Sequence, residues 1–218
     1  MTTNERVFDR IAESWYRVRH WPLLRNELEE VAAMWRGGRL LNVGCAHGPD
    51  FLAFRQGFEL WGVDSSPAML RLARRYAAKQ ELYVNLALAD AGFLPFPEDA
   101  FDRAISVATY HHIEGAEARV RALTELRRVL KPGGEVFLTV WNHGQPRFWL
   151  RPREQLIPWR LKEGTVYRYY YLFSYGELRT LLVRTGWEVM RMYPEKSYRF
   201  PVKAFSRNIC VLMRKADA

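Results

Sequence analysis

At 218 residues and 25.7 kDa, with 49% hydrophobic and 14% aromatic residues, the chain suits one well-buried domain and excludes wholesale disorder. Two cysteines, Cys45 and Cys210, exclude a disulfide framework or a four-cysteine zinc site. No apolar run leads from the N-terminus or reaches the roughly 18 residues of a membrane span, so a soluble cytoplasmic protein without membrane contact is expected. The net charge of +9 is lopsided: residues 1–110 carry 13 basic and 14 acidic side chains, residues 111–218 carry 20 and 10. Such asymmetry suggests an anionic partner or substrate on one side of the molecule, and Arg, the commoner base here, suits phosphate and carboxylate.

In chain order, Val7, Ile11 and Trp15 keep helical spacing over 4–16, and a second amphipathic segment after Pro22 ends at Gly37-Gly38. Residues 39–44 read as an apolar strand, followed by a small-residue loop and a brief helix near 49–56. Residues 60–64 form a second strand. Ser66 then caps a helix with Pro67 at its first position. Strands near 82–88 and 102–108 precede a helix around 116–130, a Lys131-Pro132-Gly133-Gly134 turn and a strand over 135–141. Residues 143–173 read as an irregular insertion. A helix over 174–185 and strands over 187–193 and 207–213 complete the chain. This alternation predicts an α/β, Rossmann-like, seven-stranded and mainly parallel sheet, with helices on both faces and an antiparallel edge strand.

In such sheets a ligand sits beyond the carboxyl ends of the strands. The first strand runs into Asn42-Val43-Gly44-Cys45-Ala46-His47-Gly48, whose small residues let a ligand approach the backbone. Asp64 ends the second strand, where a carboxylate can accept both hydroxyls of a ribose. Asp90 ends the third, placed for an adenine amino group, and the fourth runs into Val107-Ala108-Thr109-Tyr110-His111-His112. On these grounds alone a nicotinamide nucleotide fits as well as any other adenosyl ligand. The paired histidines His111 and His112 have no acidic or cysteine partner at ligand spacing, so no metal site is expected.

The strings LLNVGCAHG, LWGVDSSPAML, LALADAGFLPFPEDAFDRAIS and LTELRRVLKPGGEVFLTVW resemble those of class I S-adenosylmethionine-dependent methyltransferases of the type-11 group, over roughly residues 38–142. The resemblance implies a single methyltransferase domain over 1–218, with N-terminal helices at 1–37, a cofactor-binding core at 38–142, a basic aromatic insertion or lid at 143–173, and a C-terminal helix and strand pair at 174–218. It implies S-adenosyl-L-methionine as cofactor and S-adenosyl-L-homocysteine as product. The cofactor would be held by Gly44, Cys45, Gly48, Asp64, Ser65, Met69, Asp90, Ala91 and Val107. The chain departs from the family pattern at Asn42, where a carboxylate is usual, and at Ala46, where glycine is usual. The first change weakens a contact to the cofactor's ammonium; the second costs nothing if the φ of Ala46 is negative.

Phe8-Asp9-Arg10-Ile11-Ala12, Arg19-His20-Trp21-Pro22, Ala108 to His112, Ile157-Pro158-Trp159 and Arg168 to Phe173 are together similar to the tRNA wobble-uridine carboxymethyl methyltransferases. That family methylates the carboxylate of 5-carboxymethyluridine in the anticodon loop. Its members work with a small zinc-binding activator on an apolar strip at the sheet edge, so tRNA and such an activator are the implied partners. By the same resemblance Arg19 would hold the acceptor carboxylate or, instead, the cofactor's own. His111 would donate a hydrogen bond to the acceptor while His112 packs beneath it. In residues 143–173 six basic residues and eight aromatics, including Trp149, Trp159, Tyr167 and Tyr170, would stack bases and hold phosphates or else form a packed lid. A small-molecule methyltransferase and a non-catalytic cofactor-binding protein are the alternatives carried forward.

Overall fold

Each short apolar strand sends alternate side chains to opposite faces of the sheet, so both faces must be covered. In β1 (Gly38–Val43) Leu40 joins one buried cluster, with Leu28, Phe54 and Ile105, while Leu41 joins another, with Leu126, Val136 and Trp187. Strands β2 (Phe58–Asp64), β3 (Val84–Leu88), β4 (Phe101–Val107) and β5 (Leu130–Trp141) run parallel to β1. Helices α1 (Thr3–Val18), α2 (Arg25–Trp35), α3 (Pro67–Lys79), α4 (Ala116–Val129) and α5 (Tyr175–Arg184) cover them. The computed structural model describes residues 3–196 and 202–217; part of the loop read between the last two strands, 197–201, lies outside the described residues.

The sheet has seven strands in the order β3-β2-β1-β4-β5-β9-β8, where β8 is Trp187–Pro194 and β9 is Asn208–Lys215. The last two strands pair antiparallel, as expected. The reversed strand, β9, sits one place in from the edge, paired antiparallel to β5 on its other side. The crossover through α5 carries β8 past the slot beside β5, and the chain fills that slot on its way back.

Segment 143–173 is more regular than the sequence reading allowed. It carries an antiparallel hairpin, β6 (Glu154–Leu161) and β7 (Gly164–Tyr171), turning through Lys162-Glu163. Its alternation is real: Ile157, Trp159 and Leu161 on β6, and Val166, Arg168 and Tyr170 on β7, face inward. An arginine in the inward row and a proline within β6 hid the period of two. Tyr170 thereby parts from Tyr169 and Tyr171, packing on Trp141 while Tyr171 packs on Phe173. The Lys131–Gly134 turn is a bulge inside β5, where the register to β4 jumps from Leu130 to Glu135.

Helix α1 is tied down at the carboxyl ends of the strands. Ser66 caps α3 by accepting the Met69 amide at 3.1 Å, and its hydroxyl donates to Asp9 of α1 at 2.6 Å. Asp9 also accepts the Ala68 amide at 3.0 Å. Across the same opening, the Trp159 indole donates to the Ser14 hydroxyl at 2.8 Å, so hairpin and helix meet over the sheet edge.

The loop after β1 corrects one expectation. Ala46 has φ +47°, in the left-handed region where a Cβ costs roughly 1–2 kcal/mol, which explains why glycine is usual there. Ala46→Gly should therefore raise unfolding free energy by about 0.5–1 kcal/mol. Urea denaturation of the two proteins checks this, and an unchanged or lowered midpoint at equal slope would show that the methyl is not strained.

Candidate active site

The carboxyl ends of five strands (β1 to β5), the hairpin, α1 and the residues following it line a cavity of about 660 Å³. Gly44 leaves β1 with φ +74°, and a Cβ built there would lie 2.3 Å from the Thr109 side chain, so only glycine allows the β1 and β4 ends to close together. Asp64, at the end of β2, binds this loop to the next helix. Its two carboxylate oxygens accept the Ala46 amide at 2.8 Å and the Ser66 amide at 2.9 Å. Burial nevertheless lifts the Asp64 carboxyl to about 6, well above the usual carboxylate range.

Of the residues expected at the site, Arg19, Gly44, Cys45, Asp64, Ser65, Met69, Asp90, Ala91, Val107 and His111 all line this cavity. Gly48 is not part of its lining. It takes φ +86°, donates its amide to the Cys45 carbonyl at 2.8 Å and faces Phe51, so it shapes the loop rather than the cavity wall. Cys45 is buried and its thiol pushed up by burial, so it is an inert part of the wall. Met69 is both core and wall, packed with Val7 and Ile11. Asn42 stands apart: its carboxamide is buried with no hydrogen-bond partner among the described residues, and it does not line the cavity.

The paired histidines divide differently from the expectation, because both line the cavity and His112 is the more exposed of the two. His111 is fully buried and stacks on Tyr170 at 4.9 Å. Its Nδ1 accepts the Trp141 amide at 3.2 Å, which assigns the ring proton to Nε2, and Nε2 has no partner among the described residues. His112 Nδ1 lies 2.9 Å from the Tyr169 carbonyl. Burial pushes the His112 imidazole down to about 3 and that of His111 well below its ordinary range, so both are neutral.

Several wall residues escaped the sequence reading or were given another task. Trp15 was read only as part of a helix face, yet it forms the wall with Trp159, their rings 5.3 Å apart. Asp50, Glu195 and Arg207 also line the cavity, and only the position of Asp50, just past the glycine loop, signals this in the sequence. Of the eight aromatics in 143–173, Phe148, Tyr169, Tyr170 and Phe173 are buried and only Trp149 and Tyr167 are largely exposed.

Comparison with known proteins agrees with this geometry. The family model for a methyltransferase domain matches residues 41–138. An Encephalitozoon cuniculi protein named as a methyltransferase is 32% identical over 193 residues, covering 85% of this chain and 86% of that one. The chain belongs to the class I S-adenosylmethionine-dependent methyltransferases. An Arabidopsis thaliana protein named tRNA (carboxymethyluridine(34)-5-O)-methyltransferase is 36% identical over 138 residues, or 62% of this methyltransferase, which spans only 32% of that relative's length. A Haloferax volcanii methyltransferase solved with the Trm112 methyltransferase activator shares the fold, with a TM-score of 0.69 at 19% identity and 99% of each chain covered.

We propose Asp64 as the residue that takes the cofactor's ribose. A raised, water-poor carboxyl gains most from two further hydroxyl donors, and a ribose diol supplies them. Those donors favour the ionised form, so binding pulls the carboxyl back down and requires a proton to leave below about pH 6. Affinity for S-adenosylhomocysteine should thus weaken as pH falls below about 6. Asp64→Asn should cost about ten- to a hundredfold in affinity at neutral pH and abolish the part of that dependence due to Asp64. Titration calorimetry across pH checks both; a mutant with wild-type affinity would remove Asp64 from the cofactor site.

Proposed function

We propose that this methyltransferase transfers the methyl group to a carboxylate oxygen of 5-carboxymethyluridine in the anticodon loop of tRNA, forming a methyl ester. The observation that carries the reading is Arg168. It lies on the inward face of the hairpin, only 6% exposed, and its Nε has no hydrogen-bond partner among the described residues. Trp159, Tyr170 and Trp15 surround the guanidinium at 4.9, 5.2 and 5.9 Å from their ring centres. Among the described residues no carboxylate forms an ion pair with it. A cation held out of water in this way calls for an anion from the ligand, and a planar carboxylate matches its fork.

When bound, S-adenosylmethionine supplies an electrophilic methyl carbon on its sulfonium. The protein's task is to present an oxygen to it in line. A carboxylate is ionised at neutral pH and is its own nucleophile, so no general base is needed. The neutral histidines agree with that: His111 Nε2 donates a hydrogen bond and takes no proton. Arg19, with its guanidinium 5.0 Å from the Trp15 ring centre, adds positive potential at the same wall. Outside the cavity, exposed Arg151, Arg160 and Lys162 share the hairpin region with Trp149 and Tyr167, a combination suited to an unpaired RNA loop. The Arabidopsis relative's name supports the same acceptor.

An activator fits β3, the edge strand of the sheet, which carries Leu88 at 58% exposure between Tyr83 at 83% and Phe93 at 66%. A row of this kind beside unpaired backbone groups invites a covering partner. The burial of half the aromatics in 143–173 favours a second reading, in which the hairpin is a lid over a small carboxylate acceptor.

Labelled methyl donor with bulk tRNA, followed by alkali, distinguishes the two: release of labelled methanol from tRNA supports the ester, and transfer to small acceptors alone rejects it. Arg168→Gln should lower kcat/KM for tRNA about a hundredfold or more while leaving S-adenosylhomocysteine affinity within about twofold.

A further inference from the structure

Asp50 is an acid of the cavity wall that the fold leaves without a hydrogen-bond or ion-pair partner among the described residues. It follows Pro49 at the start of a short 3-10 turn (Pro49–Phe54), directly after the glycine loop, and lines the cavity. Among the described residues its carboxylate makes no hydrogen bond and no ion pair. Burial raises its carboxyl to about 7, and the charge of Arg19 only partly offsets this. Cys45 of the loop feels both Asp50 and Asp64, so the two carboxylates flank the same loop. Tyr76 of α3 and Arg19 are the other titrating groups that sense Asp50.

Asp50 is half-buried in the cavity wall with its carboxyl only partly balanced by Arg19, and a cationic group of a ligand in the cavity would complete the pairing. Asn42 lies in β1, just ahead of the same loop. It is uncharged, buried and absent from the cavity wall. The unpaired carboxylate beside the loop that faces the cavity is therefore that of Asp50. We propose that Asp50 receives the α-ammonium of S-adenosylmethionine in this protein, with Arg19 facing the α-carboxylate. The acceptor-binding task is thereby left to Arg168. The cofactor's amino-acid end is thus recognised by a carboxylate in the turn that follows the glycine loop.

The test is binding alone and needs no acceptor, so it is independent of the tRNA reading. Two ligands are compared by calorimetry in mildly alkaline buffer: S-adenosylhomocysteine, and 5′-deoxy-5′-(3-carboxypropylthio)adenosine, which lacks only the amino group. Wild type should prefer the first by about ten- to a hundredfold, and Asp50→Asn should erase that preference by weakening the first ligand alone. A wild type without preference, a variant that keeps it, or a variant that weakens both ligands equally overturns the proposal. Should Asp50→Asn not fold, Asp50→Glu serves: the displaced carboxylate should narrow the preference, and an unchanged preference overturns the assignment.

Discussion

The site depends on one carboxylate. Asp64 takes the amide of Ala46 from the loop after β1 and the amide of Ser66 from the cap of α3. With those two bonds it fixes the glycine loop, the start of α3 and, through Ser66 and Asp9, the position of α1. Its burial makes the charge costly, and the remaining lone pairs face a cavity sized for a nucleoside and more. The side chain that anchors the loop is therefore also the one proposed to meet the ligand, and the strained backbone around it is part of that arrangement. Both Ala46 and Ala108, at two neighbouring strand ends, are held at positive φ.

The charges of the cavity are arranged by sign and by depth. Acids (Asp50, Asp64 and Asp90) stand on the side built from the loops after β1, β2 and β3, the side proposed for the cofactor. Arg168 projects from the opposite wall, the hairpin, among aromatic rings. Arg19 is influenced by Asp50 and by Arg168 and Arg207 alike. His111 and His112 line the same cavity as neutral rings, because burial denies them a proton. With the proposed carboxylate acceptor, such a site would position two charged reactants and leave their intrinsic reactivity to do the chemistry.

The parallel core could be read from the sequence because each strand is a short apolar run closed by a turn residue, and because Gly44, Asp64 and Asp90 fall at successive strand ends. Ser66-Pro67 marked its helix start through a cap whose hydrogen bond is formed. What could not be read was conformation within a loop and pairing at a distance. The sign of φ at Ala46 is set by the tie to Asp64, which no local pattern reveals. The hairpin stayed hidden because its inward row carries Arg168, a charge that breaks the apolar alternation for the sake of the site. Gly48 looked like a cofactor residue by spacing, yet its left-handed backbone serves the turn. Asp50 lies in no familiar string, and its importance rests on what surrounds it in three dimensions.

The most direct measurement is a crystal structure of the protein with S-adenosylhomocysteine. The account predicts both ribose hydroxyls at about 2.7 Å from the Asp64 carboxylate, the adenine beside Asp90 and Met69, and the sulfur opening toward the Arg168 wall. A nucleoside bound elsewhere, or an Asp64 carboxylate contacting only its own backbone amides while the ligand lies away from it, would contradict it.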